Sequence, residues 1–337
     1  MSKDRIIAGN SGGMVIYDPV ASLQSRQGDH AMKEALVHIK SDKRRHILRV
    51  QSAALMAIHQ YMHKRGVFQS MPIILSPETD PLNHPHFDAS VEYYGQRLHL
   101  TKSMILHKQL SLVNDGIDKI YFMSPNVRLE DGKLKETGRH LFEFTQVDIE
   151  FKDKTKKDFI KFTDGMIASI YKFVISKCSE DLEALGRKLT VPKLPLKVYE
   201  SEDLRSELGE DFERLGSQRA TDPFWILNFR REFYDREDKL RRGYYHNYDI
   251  FWPEGYGEAL SGGEREWEHK EIIRKMEERR TDKKAFDTYL QISSQGLIPR
   301  TVGGGLGIER MVRFLTGQRH IRDVTLFPRV PGERIVF

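Results

Sequence analysis

"NVRLEDGKLKETGRHLFEFTQVDIEF", residues 126–151, decides how this chain folds. The apolar run 118–130 reads as a buried strand, 131–138 as a polar loop, and 140–151 alternates well enough to be an antiparallel partner. Arg128 and Glu130 lie two apart and so share one strand face, while Arg139, His140, Glu143 and Phe144 follow across the loop. An arginine aimed from a rigid strand can hold a phosphate through two N–H donors. The loop can close over further phosphates, and Phe144 can stack on a base. The competing reading is an arginine–glutamate ladder on a solvated sheet face.

Working outward, "SDKRRHILRVQSAALMAIHQYMHKRG" (41–66) places Ile47, Val50, Ala54, Leu55, Ile58, Tyr61 and Met62 at helical spacing, with Gly66 as the stop. "MPIILSP" (71–77) reads as a short strand and 91–101 as a hairpin turning at Gly95 and Gln96. A long helix fits 157–178. Residues 200–221 read as helix and loop, followed by strands in "DPFWILNF" and "YYHNYDIFW" joined by a polar stretch. Residues 266–296 read as helical and solvated, and 302–317 as a glycine-rich strand-to-helix passage ending at Gly317. The best strand pairings are hairpins, which predicts an α+β domain on an antiparallel sheet flanked by helices. The first 40 residues, with several glycines and mixed polarity, are expected to form an arm or appendage, and 41–337 the catalytic domain.

Bulk properties narrow the function classes. The chain has 337 residues and a net charge of +5, too small and dispersed to argue for nucleic acid. It has no apolar run that could span a membrane, and no signal-peptide core at "MSKDRIIAGNSGG". A single cysteine, Cys178, excludes a disulfide framework or a cysteine metal cluster, so a cytoplasmic location is expected.

Two more stretches carry chemistry. In "NYDIFWPEGYGEALSGGERE" (247–266), Asp249 and Glu258 are oxygen donors of the kind Mg²⁺ prefers near phosphate, and Arg265 follows a glycine pair. The plain alternative is turn glycines and exposed acids. In "GGGLGIERMVRF" (303–314), the glycines do not fit a dinucleotide fingerprint, and Arg310 opens an apolar helix, where it must meet an anion or face solvent. A further question comes from "HLTKSMILHKQL" (99–110): what does Lys108 face, in an otherwise apolar run?

Together, "RGVFQSMPIILSP", "VRLE" with its loop and "RHLFEF", and "GGGLGIER" resemble motifs 1, 2 and 3 of class II aminoacyl-tRNA synthetases. "RHLFEFTQVDIEF" and "LTGQRHIRDVTLFPRVPG" are similar to the aspartyl and asparaginyl subgroup. The resemblance runs from about residue 44 to the C-terminus. It implies the family's antiparallel sheet, a homodimer through motif 1, and ATP with Mg²⁺. By resemblance, Arg128 holds the α-phosphate, Glu130 the adenine amino group, and Arg139 and His140 the outer phosphates. Phe144 and Arg310 then sandwich the adenine beside Gly307, Arg310 also reaches the γ-phosphate, and Asp249 and Glu258 take the metal. Arg128 and Arg310 are the implied catalytic pair. One extra residue separates Asp249 from Glu258, and Thr301 stands where these synthetases usually have histidine.

For the amino acid, Ser103 and Lys108 fit the aspartyl pattern, although Ile105 replaces a glutamine; Asp148 and Arg265 complete the implied pocket. Two cations with one carboxylate between them favour aspartate over asparagine as substrate. The chain shows no OB-fold strand pattern before motif 1, so tRNA is not expected as a partner. "LTKSMILHKQL", "PFWILNFRREFYDRE" and "YGEALSGGEREWE" resemble the stand-alone archaeal-type asparagine synthetases. That resemblance implies an ammonia-dependent ligase that turns aspartate and ATP into aspartyl-adenylate and then asparagine, AMP and pyrophosphate. Aspartate would then lie reversed, its α-carboxylate on Arg265 and Lys108, with Glu92, Glu78 or Asp148 accepting the proton of ammonia. The alternatives are aspartyl transfer to another amine, a truncated aspartyl/asparaginyl-tRNA synthetase-like enzyme, and a non-catalytic sensor of aspartate or ATP.

Overall fold

The computed structural model describes residues 25–82, 84–230 and 232–336. The chain starts with two helices, α1 (Ser25–Lys40) and α2 (Asp42–His63). Of the N-terminal arm expected from sequence, 25–40 form α1 and the remainder lies outside the described residues. A short strand β1 (Phe68–Ser70) precedes a small antiparallel sheet of β2 (Leu75–Ser76), β3 (Ser90–Tyr93) and β4 (Gln96–Leu100). The run 71–77 is thus mostly loop, with only its end paired to β4. Next come helix α3 (Ile105–Ser111), strands β5 (Lys119–Val127) and β6 (Glu143–Lys152), and helices α4 (Lys156–Lys177) and α5 (Ser179–Ala184). Strand β7 (Lys197–Glu200), helices α6 (Ser201–Leu208) and α7 (Phe212–Arg219), and strands β8 (Phe224–Leu227), β9 (Asn247–Trp252) and β10 (Gly257–Glu264) follow. Helices α8 (His269–Arg279) and α9 (Asp287–Ser294), strand β11 (Thr301–Gly307) and helix α10 (Ile308–Leu315) complete the order.

The main sheet runs β1-β5-β6-β11-β10-β9-β8-β7. Its six inner strands are antiparallel, as the hairpin pattern predicts, but β1 and β7 join the two edges in parallel. These edges each return after a helical passage, which no hairpin signal marks. The sheet is therefore mixed.

One face of the sheet packs on α2, α4 and α10. Val147, Ile149 and Phe151 of β6, Tyr248 and Ile250 of β9, and Val302 and Leu306 of β11 meet Ile47, Ile58, Phe159, Ile170 and Met311 there. Helix α4 starts at a capping box: Thr155 Oγ1 accepts from the Asp158 amide at 3.4 Å, and the Asp158 carboxylate accepts from the Thr155 amide at 2.9 Å. Where α2 crosses α4, Gly165 leaves room for the Tyr61 hydroxyl, which donates to Phe162 O at 2.7 Å. On the opposite face, a second apolar cluster joins Ile105 and Leu106 of α3 to Phe233, Ile272, Met276, Phe286, Tyr289 and Ile298. The 266–296 region, expected to be solvated, thus buries one side of α8 and α9 as the wall of a site on that face.

Candidate active site

Alternation along β6 sends Val147, Ile149 and Phe151 to the helical core and Phe144, Gln146, Asp148 and Glu150 to the other face. Registration extends that face across the neighbours. Ser124 and Asn126 of β5 stand opposite Gln146 and Phe144, and Gly303, Gly305 and Gly307 of β11 stand opposite Glu150, Asp148 and Gln146. Gly303 and Gly305 answer to crowding. A Cβ on Gly303 would overlap the Glu150 carboxylate, and one on Gly305 would sit 3.0 Å from both Asp148 Oδ1 and Gln146 Nε2. Gly262 and Gly263, the glycine pair before Arg265, serve the same purpose within β10: a Cβ on either would meet Tyr248 or Asn247 at 2.7 Å.

At one end of this face lies a buried ion cluster. Lys108 is 2% exposed and reaches Asp148 Oδ1 at 3.0 Å and Glu150 Oε2 at 3.6 Å. Arg265, 3% exposed, donates through Nε to Glu150 Oε1 at 3.1 Å, and its Nη1 lies 3.4 Å from Asp235 Oδ1. Ser124 Oγ donates to Asp148 Oδ2 at 2.5 Å, Thr301 Oγ1 to Glu150 Oε1 at 2.7 Å, and Asn247 Nδ2 to Asp235 Oδ2 at 2.9 Å. This geometry corrects the charge argument made from sequence. Asp148, Glu150 and Asp235 outnumber the two cations, so no substrate carboxylate is needed for neutrality. Ser103 bonds outside this cluster: its hydroxyl donates to Asp80 Oδ2 at 2.9 Å, which also lies 3.3 Å from the Tyr234 hydroxyl.

The other end is a cavity of about 240 Å³ that brings together Arg128, Glu130, Arg139, His140, Phe144, Glu258, Gly307 and Arg310. Here three arginines face Glu130, Glu258 and Glu309, and burial pushes the Glu309 carboxyl up to about 7, so the arginines stand slightly in excess. Burial and the facing Arg310 both lower the Arg139 pKa. Burial, then Arg310, push His140 down to about 4, so its ring is neutral at pH 7 and Nδ1 lies 2.6 Å from Thr137 Oγ1. The Arg128 guanidinium sits 5.1 Å over the Phe144 ring, and its Nε donates to Lys102 O at 3.0 Å. Arg310 pairs with Glu258 Oε1 at 3.2 Å. Cations crowded in this way suit a polyanion.

For Mg²⁺, Glu258 fits: its carboxylate is on the cavity wall, and the metal takes most of its remaining ligands from phosphate and water. Asp249 is on the same sheet face, opposite Ser261, but is 3% exposed and is not among the residues lining the cavity. Among the described residues no group of three or more His, Cys, Asp or Glu could hold a metal by itself.

Residues 27–331 match the family described as tRNA synthetases class II (D, K and N). The chain belongs to that family. It is 27% identical over 315 residues to the asparagine–tRNA ligase of Pyrococcus abyssi, covering 88% of this chain and 71% of that one. It is 28% identical over 332 residues to the aspartate–tRNA(Asp) ligase of Thermoplasma acidophilum, covering 93% and 74%. The crystal structure of asparaginyl-tRNA synthetase from Pyrococcus horikoshii, complexed with asparaginyl-adenylate, superimposes with a TM-score of 0.81 at 23% identity, over 96% of this chain and 78% of that one. The fold is thus that of the class II synthetases, with a mixed sheet flanked by helices.

Within this class II synthetase framework, several site residues escaped sequence reasoning. The two-residue period could have found Gln146, Glu150 and Ser124, which lie two apart from Phe144, Asp148 and Asn126 on their strands. Asp235, Asp80 and His84 come from loops whose course no periodicity reports. Glu309 also lines the cavity; its carboxyl accepts from the Thr145 amide at 3.0 Å, and burial pushes it up to about 7. Of the proton acceptors considered, Glu78 is engaged at the start of α9 by the Thr288 and Tyr289 amides, and Glu92 is exposed on β3. Asp148 alone of the three lies within the buried ion cluster.

Proposed function

We propose that this chain is an ATP-dependent ligase that activates aspartate as aspartyl-adenylate. One observation carries the reading: the cavity that gathers Arg128, Arg139 and Arg310 beside a neutral His140 opens on the same sheet face as the buried Lys108–Asp148–Glu150–Arg265 cluster. A carboxylate is a weak electrophile because its charge repels a nucleophile. Attack of an aspartate oxygen on the α-phosphate held by Arg128 makes the acyl–phosphate bond and releases pyrophosphate. Mg²⁺ on Glu258 would neutralise charge on the phosphates. Lys108, which stands where the aspartyl pattern has its lysine, supports aspartate as the amino acid.

The acceptor separates two readings. The relatives named above are tRNA ligases, and they favour the synthetase-like alternative, in which the acyl group goes to tRNA. Ammonia, giving asparagine, AMP and pyrophosphate, is supported by the resemblance of residues 100–110, 223–237 and 256–268 to stand-alone asparagine synthetases. ATP–pyrophosphate exchange tests the common step: it should require aspartate, and exchange driven by asparagine alone would overturn the proposal. Product analysis with Mg·ATP, aspartate and either ammonium or tRNA then decides the acceptor. Asparagine with stoichiometric AMP supports the first, and AMP release only with tRNA supports the second.

A further inference from the structure

His84 belongs to no motif, yet it lines the nucleotide cavity, and its Nε2 lies 2.9 Å from Glu130 Oε1. The contact is braced from both sides. His86 Nδ1 lies 3.0 Å from His84 O, while His86 Nε2 lies 2.6 Å from Lys102 Nζ. The Phe87 amide donates to Leu129 O at 2.7 Å, next to Glu130, and Lys102 O in turn holds Arg128 Nε at 3.0 Å. His84 is therefore fixed to the segment just past the end of β5 that carries both Arg128 and Glu130.

We infer that His84 is a positioning residue for base selection: it holds one oxygen of Glu130 so that the other is aimed at the exocyclic amine of the nucleobase. The inference rests on the nucleotide reading of this cavity. An ionised carboxylate only accepts hydrogen bonds, so it attracts the amino group of adenine and repels the carbonyl oxygen that guanine presents at the corresponding position. That discrimination needs a fixed direction, and a glutamate side chain has three rotatable bonds. A ring nitrogen that donates to the carboxylate removes this freedom before ATP arrives.

Titration calorimetry with ATP and with GTP on the full chain, its His84→Ala variant and its His84→Gln variant tests this. Gln can place a donor near the position of Nε2. Loss of one charge-assisted hydrogen bond predicts that His84→Ala binds ATP about tenfold more weakly while GTP changes by less than about twofold. His84→Gln should recover most of the ATP affinity. The inference is overturned if His84→Ala binds ATP as the parent does. It is also overturned if ATP and GTP weaken alike and His84→Gln rescues neither, which is the signature of a merely structural side chain. If the parent chain binds no ATP, the nucleotide reading itself falls, and this inference with it.

Discussion

Lys108 faces two carboxylates, and that fixes what its removal should do. Lys108→Ala leaves Asp148 and Glu150 buried with one partner fewer, so unfolding free energy should fall by about 3 kcal/mol, measured by denaturant titration. In ATP–pyrophosphate exchange the same variant should lose aspartate affinity far more than ATP affinity, because no part of the cluster lines the nucleotide cavity. Equal losses of the two would remove Lys108 from the amino-acid pocket. Glu309 makes a pH-dependent prediction. Its folded-state pKa is raised to about 7, so the stability it contributes is full below the ordinary carboxyl range and is lost as pH rises through about 7. The term is at most about 3 kcal/mol, and smaller to the extent that the carboxyl opens on the cavity. Glu309→Gln removes the proton equilibrium while keeping an acceptor for the Thr145 amide. The melting temperature of the parent relative to Glu309→Gln should therefore decline between pH 5 and pH 8; a constant difference would contradict the raised pKa. Neither the third carboxylate nor the raised Glu309 was legible in the sequence, because both depend on what the folded chain packs around them.

At the scale of elements, β11 is a strand whose side chains are missing on purpose. Gly303→Ala would drive a methyl into the Glu150 carboxylate, and moving that carboxylate disturbs Arg265, Lys108 and Thr301 together. The expected cost is about 3 kcal/mol or more, together with loss of exchange activity, read by calorimetric melting and by the exchange assay. A variant that keeps the parent's stability would mean that Glu150 has room to move. The sequence showed the glycine run and the strand-to-helix passage, but their purpose needs the register of β6 and β10 against β11. The same limit explains the edges of the sheet. Hairpins such as β5–β6 announce themselves by alternation across a short loop, whereas β1 and β7 are three and four residues long and pair in parallel after intervening helices. Helix α2 was readable to within three residues of its ends because it carries an apolar stripe and a stop at Gly66, and the helix read over 157–178 lies within one residue of α4.

For the molecule as a whole, the motif 1 region is notably apolar at its surface. Phe68, Met71, Ile74 and Leu75 are exposed there, at 57%, 81%, 55% and 41%. Patches of this kind on a folded domain mark an interaction surface, and the resemblance to class II synthetases proposes a second copy as the partner. Light scattering should then give about twice 39.3 kDa, and Ile74→Asp should shift the mass to that of one chain. A parent chain that runs as a monomer at micromolar concentration would remove the homodimer. The two ends of the active-site face also differ in their contact with water. Lys108, Asp148, Glu150 and Arg265 are almost fully buried, so added salt screens them little, whereas the arginines of the nucleotide cavity open to solvent. Ionic strength should consequently act on the two substrates unequally: raising salt from 50 mM to 500 mM, across which the screening length shrinks from about 14 Å to about 4 Å, weakens the hold on ATP while aspartate binding stays nearly level.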